Sequence, residues 1–320
     1  MRNRAVVWVV AAIVAVGPIP GGTVASAQAN AAPRAVLVTG ASSGIGRKIT
    51  EVLAARGYFV YAGARKPQDM EALNRIKNVQ AIRLDVTVPA EIEAAVTTVE
   101  KAGRGLYGLV NNAGVAVIMP LIETDEDDLK FQLDVNVFGP YRVTKAFSKL
   151  LIASKGRIVT TGSLSGFVSG SLSGPYSMSK HAVEAFVDAL AAEMARFDVK
   201  VSVLEPGNYQ TEIGKSLLAR MEAKGRKFDG PYEQDMRRIA DFAKGISRDA
   251  APDDVAEAAF AALSDPHPKL RYLVVPNQGQ ADLTLRKLFQ TVAELNVGQK
   301  YSVSRDSLVA MLDKALAGTH

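Results

Sequence analysis

Ser163, Tyr176 and Lys180 fall in a Ser-x12-Tyr-x3-Lys pattern, and these three side chains are the first in the sequence that could do chemistry together. A tyrosine and a lysine four positions apart share one face of a helix. An unperturbed phenol titrates at about 10, too high for efficient acid/base work near neutrality. An ammonium one helical turn away stabilises phenolate, so Lys180 is expected to lower the pKa of Tyr176. Ser163, just past a β-branched run, could hydrogen-bond a substrate oxygen. In isolation a Tyr-x3-Lys pair carries little weight, because most such pairs are surface residues.

A glycine-rich turn upstream changes that weight. Residues 39–46 read TGASSGIG, between the apolar run Val36-Leu37-Val38 and a helical stretch. Gly40, Gly44 and Gly46 would let the backbone turn tightly beside a pyrophosphate. Ser42, Ser43 and Ile45 would bring its charge to the helix N-terminus. Further on, the end of the second apolar run reads Ala62-Gly63-Ala64-Arg65-Lys66, with no carboxylate before Asp69. An acid there would hold a ribose 2′-hydroxyl, whereas Arg65 would pair with a 2′-phosphate. NADP(H) is therefore the preferred expectation, with NAD(H) still possible; the competing reading of Arg65 is a solvated loop arginine.

The elements that must position these residues follow from periodicity. Strands are expected at residues 36–38, 59–61, 81–84, 106–110, 157–160, 199–204 and 272–275, alternating with helical stretches. Such alternation predicts an α/β fold: a single doubly wound Rossmann domain over residues 34–276, with a seven-stranded parallel sheet. Residues 212–248 are charged and helical in composition, suited to a lid over the ligand crevice. Residues 277–320 form a helical tail whose apolar rhythm (Leu285, Leu288, Phe289, Val292, Leu295) predicts packing on the core or on a partner subunit.

Composition narrows the classes. With no cysteine and only His181, His267 and His320, a thiolate or histidine metal site is not expected. The net charge of +5 comes without a basic stripe interleaved with aromatics, so no nucleic-acid role is expected. Residues 1–27 read as an export signal: Arg2 and Arg4, an apolar run over residues 5–16, and Ala25-Ser26-Ala27 as a cleavage site. This predicts an exported, periplasmic protein, with a cytoplasmic or membrane-anchored one as the alternative; an exported enzyme would need a source of nucleotide outside the cytoplasm.

Taken together, the chain from about residue 34 to residue 276 resembles the short-chain dehydrogenase/reductase family, in its single-domain branch. The motifs that carry the likeness are TGASSGIG, the Asp85-Val86 pair, NNAG at residues 111–114, Asn136 in VNVFG, Ser163, the Tyr176/Lys180 pair, and PGNYQT at residues 206–211. The resemblance implies hydride transfer between nicotinamide and a carbonyl or alcohol carbon, with Asn136, Ser163, Tyr176 and Lys180 as the catalytic set. It implies that Asp85 and Val86 meet the adenine, and that Asn111, Asn112, Ala113 and Gly114 back the adenosine half. Asn136 would hold a water linking Lys180 to solvent; Pro206, Gly207 and Thr211 would flank the nicotinamide and its phosphate, and Tyr176 and Lys180 also touch the cofactor. Assembly as a homodimer or homotetramer is implied as well.

The stretches around residues 205–209 and 268–274 resemble the retinol- and hydroxysteroid-type members, and with Phe167, Val168 and Tyr209 they suggest an apolar small-molecule partner. The alternatives are a catalytically silent, cofactor-binding scaffold of the same fold, a serine hydrolase and a nucleotide-sugar epimerase. No serine in the Ser/Gly-rich stretch sits in a G-x-S-x-G elbow, and the glycine spacing differs from that of the epimerases.

Overall fold

Strands buried on both faces need continuous apolar runs rather than alternation, and the central strands have them. In the computed structural model, which describes residues 33–226, 230–246 and 249–318, β1 (Ala35–Val38) is buried along its whole length. β2 (Phe59–Ala64), β3 (Val79–Arg83), β4 (Gly108–Asn111), β5 (Arg157–Thr161), β6 (Lys200–Pro206) and β7 (Arg271–Val274) complete the sheet. All neighbours are parallel, in the order β3-β2-β1-β4-β5-β6-β7. The order reverses between β1 and β4, where Val36 to Val38 pair with Gly108 to Val110. In such sheets the crevice outside the strand C-termini at that switch point is where ligands bind. The export-signal reading falls on residues outside those described; among the described residues no helix is long and apolar enough to cross a membrane.

Helices cover both faces. On one side α1 (Gly44–Ala55) and α9 (Asp253–Ser264) bury Ile49, Leu53, Val255, Ala259 and Leu263 against β1 and its neighbours. On the other, α3 (Pro89–Lys101), α5 (Gly139–Ala153) and α6 (Gly174–Met194) bury Val99, Phe147, Val183 and Val187. The expected lid segment is helical: α7 (Ile213–Ala223) and α8 (Glu233–Gly245) share a smaller core of Leu217, Met221, Met236 and Ala243 with Val117 and Met119. The tail is two helices, α10 (Gln278–Asn296) and α11 (Arg305–Ala317), rather than one. Its apolar rhythm is not packed on this chain's core, since Leu285, Leu288, Phe289, Val292 and Leu295 are all exposed.

Candidate active site

A cleft of about 610 Å³ opens at the C-terminal ends of the strands. Its first wall is the β1–α1 turn. Gly40 and Gly44 have φ of +63° and +52°, the left-handed region that favours glycine. A Cβ on Gly40 would stand 2.8 Å from the Ala113 backbone, so the turn also needs glycine to lie against the end of β4. Thr39 knits the two together: its Oγ1 accepts from the N–H groups of Asn112 (2.9 Å) and Ala113 (3.0 Å). The Asn112 amide donates back to the carbonyls of Thr39 and Gly40 at 3.1 and 3.2 Å.

The N-terminus of α1 faces this cleft with no side-chain cap from Ser43 and no acid in its first turn. Uncountered N–H groups and the helix dipole make that end a site for an anion. Ser42, Ser43, Ile45 and Gly46 line the same wall, as do Ala113, Gly114, Pro206, Gly207 and Thr211. Asn111 does not: its side chain turns away and donates to Thr144 Oγ1 on α5 at 2.9 Å. It ties β4 to a helix behind the sheet, because alternate residues of a strand point to opposite faces.

Farther out, Arg65 and Asp85 both line the cleft and pair with each other, Nη1 to Oδ2 at 3.4 Å. Arg65 is two-thirds exposed (66%), so this pair is a loose one. Burial would raise Asp85, but hydrogen bonds from the backbone and hydroxyl of Thr87, with Arg65 nearby, hold it below the usual carboxylate range. Val86 stands next to it on the wall.

At the opposite end, Ser163 follows β5 and Tyr176 and Lys180 lie one turn apart on α6. Ser163 Oγ accepts from the Ser165 N–H at 3.1 Å, and its side chain lies beside the Tyr176 phenol, where it favours the ionised form. Lys180 Nζ donates to the Thr161 carbonyl at 2.8 Å and stands 5.7 Å from the Tyr176 ring centre. The expected lowering of the Tyr176 pKa is overturned. Burial pushes it above the ordinary tyrosine value, opposed by the Ser163 side chain, and a negative charge on Glu205 would push it the same way. Lys180 itself is brought down to about 8 by burial, with Glu205 and Glu184 pulling the other way. An ammonium anchored on a strand carbonyl cannot offset the desolvation of a phenolate by itself.

Asn136 sits in a π-helical turn, Asp134–Phe138, and is 2% exposed. Its Oδ1 accepts from the Val115 N–H (2.9 Å), and its Nδ2 donates to the Val115 carbonyl (3.0 Å) and to Ser179 Oγ (3.1 Å). The side chain is thus spent on fixing the loop after β4 and the back of α6. A water held at this residue would have to use its main chain or the second lone pair of Oδ1.

The remaining wall is largely apolar, with Ile118, Phe131, Leu164, Leu217, Ile239 and Phe242 among its members. Tyr209 lines the cleft as expected, whereas Phe167 and Val168 do not. The sequence also missed Gln280, at the start of α10. Its Oε1 accepts from the Asn208 N–H at 2.8 Å and fills the space a side chain on Gly207 would take.

Comparison with known proteins agrees with this arrangement. The family model for the short chain dehydrogenase matches residues 34–222. A curated relative from Ornithobacterium rhinotracheale, an NADPH-dependent 3-dehydrocapnine reductase, is 34% identical over 256 residues, covering 77% of this chain and 89% of its own. The chain belongs to the short-chain dehydrogenase/reductase family. Retinol dehydrogenase 5 of Mus musculus is also 34% identical, covering 74% of this dehydrogenase and 79% of the relative. A solved short-chain dehydrogenase/reductase from Burkholderia phymatum, in complex with NAD, shares the fold with a TM-score of 0.71 at 24% identity, over 85% of this chain and 98% of that one. This short-chain dehydrogenase/reductase is an oxidoreductase of the class that uses nicotinamide nucleotides, and its uncapped helix end, glycine turn and cleft fit such a group.

Proposed function

We propose that this dehydrogenase/reductase moves hydride between NADP(H) and an apolar ketone, aldehyde or secondary alcohol. Tyr176 is the acid/base, Ser163 holds the reacting oxygen, and Lys180 supplies positive charge behind the phenol. The observation that carries the reading is that Ser163, Tyr176 and Lys180 meet on one cleft, with the Lys180 ammonium held on the Thr161 carbonyl. When bound, the nicotinamide accepts or donates the hydride, which is the chemistry no side chain offers. In reduction the substrate oxygen gains the Tyr176 proton while the Ser163 hydroxyl donates to it. Burial keeps Tyr176 protonated in the free site, a state suited to an acid. Working as a base requires more positive charge beside the phenol than Lys180 gives.

Two features support the finer choices. Arg65 lines the adenosine end without an acid in the place that would repel a 2′-phosphate, and the Asp85 carboxylate holds its guanidinium loosely. The Ile118, Phe131, Leu164, Leu217, Ile239 and Phe242 wall would accept an apolar body, with α7 and α8 covering it. The test is nicotinamide absorbance with NADPH and NADH against a panel of carbonyl compounds, from polar hydroxyacid precursors to apolar ketones. Turnover is expected on apolar members, with NADPH preferred, and Arg65→Asp should cut that preference by at least about tenfold. Preference for NADH would contradict the role of Arg65; turnover confined to polar substrates would contradict the apolar reading. Nucleotide binding without turnover on any substrate would favour a silent scaffold.

A further inference from the structure

Behind the catalytic floor lies a second pair of ionisable groups. Glu205, near the end of β6, is 1% exposed, and its Oε2 accepts from the Ser163 N–H at 2.8 Å. Its carboxyl adjoins that of Glu184, one turn beyond Lys180 on α6. Glu184 Oε2 accepts from Arg271 Nε on β7 at 2.9 Å. That leaves one oxygen on each acid, Glu205 Oε1 and Glu184 Oε1, buried and without a donor among the described residues. Two orphan acceptors side by side are costly, and a single proton between them converts the pair into one O–H···O bond.

We propose that Glu205 and Glu184 share one proton, and that this neutral-on-one-side pair is the device that positions Ser163 against Tyr176. The proton resides on Glu205, because Glu184 faces Arg271 while Glu205 has only a backbone N–H. Burial and the neighbouring Glu184 push Glu205 up to about 10, against the pull of Ser163 and Lys180.

The loop that carries Ser163 is shaped around the pair. A Cβ on Gly162 would stand 2.6 and 2.7 Å from the two Glu205 oxygens, and one on Gly166 would crowd Glu184 at 3.1–3.2 Å. Both glycines flanking the Ser163 turn therefore make room for a carboxyl. The charged groups facing the pair are Lys180 and Asp188 from α6 and Arg271 from β7, and Arg271 Nη2 also bonds Asp188 at 2.6 Å. With Glu205 protonated, two cations face two anions. An ionised Glu205 would leave an excess negative charge that opposes phenolate at Tyr176. The protonated pair grips Ser163 without that penalty.

The kinetic consequence rests on the proposed roles of Ser163 and Tyr176, so the test includes a readout that does not. In infrared difference spectra of the nucleotide-bound chain, native minus Glu205→Gln should show the carbonyl stretch of a protonated, buried carboxylic acid at pH 7 that shifts in heavy water. In turnover, Glu205→Ala should lower kcat by about tenfold or more, since it strands the Ser163 N–H, with KM little changed. Glu205→Gln, which keeps a neutral group of the same shape, should restore kcat to within about threefold of native. If Glu205→Ala does not fold, the infrared band and the Gln variant still decide. Absence of the band, or a Gln variant as impaired as the Ala variant, overturns the proposal. A band without turnover on any substrate would leave the pair standing and sink only the proposed reaction.

Discussion

Asp128, on α4 (Glu126–Leu133), is 3% exposed and meets three cations; Glu205 is 1% exposed and meets another acid. Arg220 Nε and Arg226 Nη2 each donate to Asp128 at 2.9 Å, and Lys224 Nζ stands 3.4 Å away. Burial alone would raise Asp128, but the hydrogen bonds from Arg226 and Arg220 and the charge of Lys224 hold it below the ordinary value. The same burial at Glu205, with Glu184 beside it, sends the carboxyl up to about 10. What surrounds a buried acid decides its protonation, and here that separates two jobs. Asp128 stays ionised and latches α4 to α7 and the residues after it, outside the catalytic floor. Glu205 takes a proton and stays silent electrically, directly behind the chemistry.

The largest effect should come from breaking the latch. Asp128→Ala is expected to cost about 2–3 kcal/mol in urea unfolding, below the value for a fully enclosed pair because its arginines reach water. Its contribution is present above the unfolded carboxylate pKa and lost as pH falls through the lower folded value, so the gap between native and variant should close in acid. A gap unchanged down to pH 3 would mean that Asp128 is not held ionised. A pH dependence of opposite sign is expected at the other acid. Glu205 titrates higher in the folded state than in the unfolded one, so its contribution is complete below about 4.5 and is lost as pH rises towards 10. Glu205→Gln should therefore gain steadily on the native protein as pH rises from about 5 to about 8. A gain that shrinks with pH would erase the contrast between the two acids.

Much of this was legible in the sequence, for local reasons. The glycine turn, the strand runs and the Tyr176/Lys180 spacing are short-range patterns whose geometry follows from backbone rules. All but two of the expected catalytic and cofactor residues come together on one cleft, Asn111 and Asn136 standing behind it. The rest depended on tertiary contacts. α9 is alanine-rich with two acids at its start, and only its packing on α1 and β5 gives it away as the crossover helix before β7. The π turn at Asn136 is a hydrogen-bond register, invisible in residue types. Spacing placed Lys180 near Tyr176 but could not show that its ammonium is committed to the Thr161 carbonyl. Glu184 and Glu205 are remote in sequence and meet only because α6 lies over β6.

The hydroxyl of Tyr176 is the proton donor on which the proposed reaction depends. Tyr176→Phe removes that one oxygen, and single-turnover hydride transfer on the best substrate should fall by about a thousandfold while calorimetry still shows nucleotide binding and the unfolding midpoint holds. A variant that keeps more than about a tenth of the native rate would place the acid/base elsewhere.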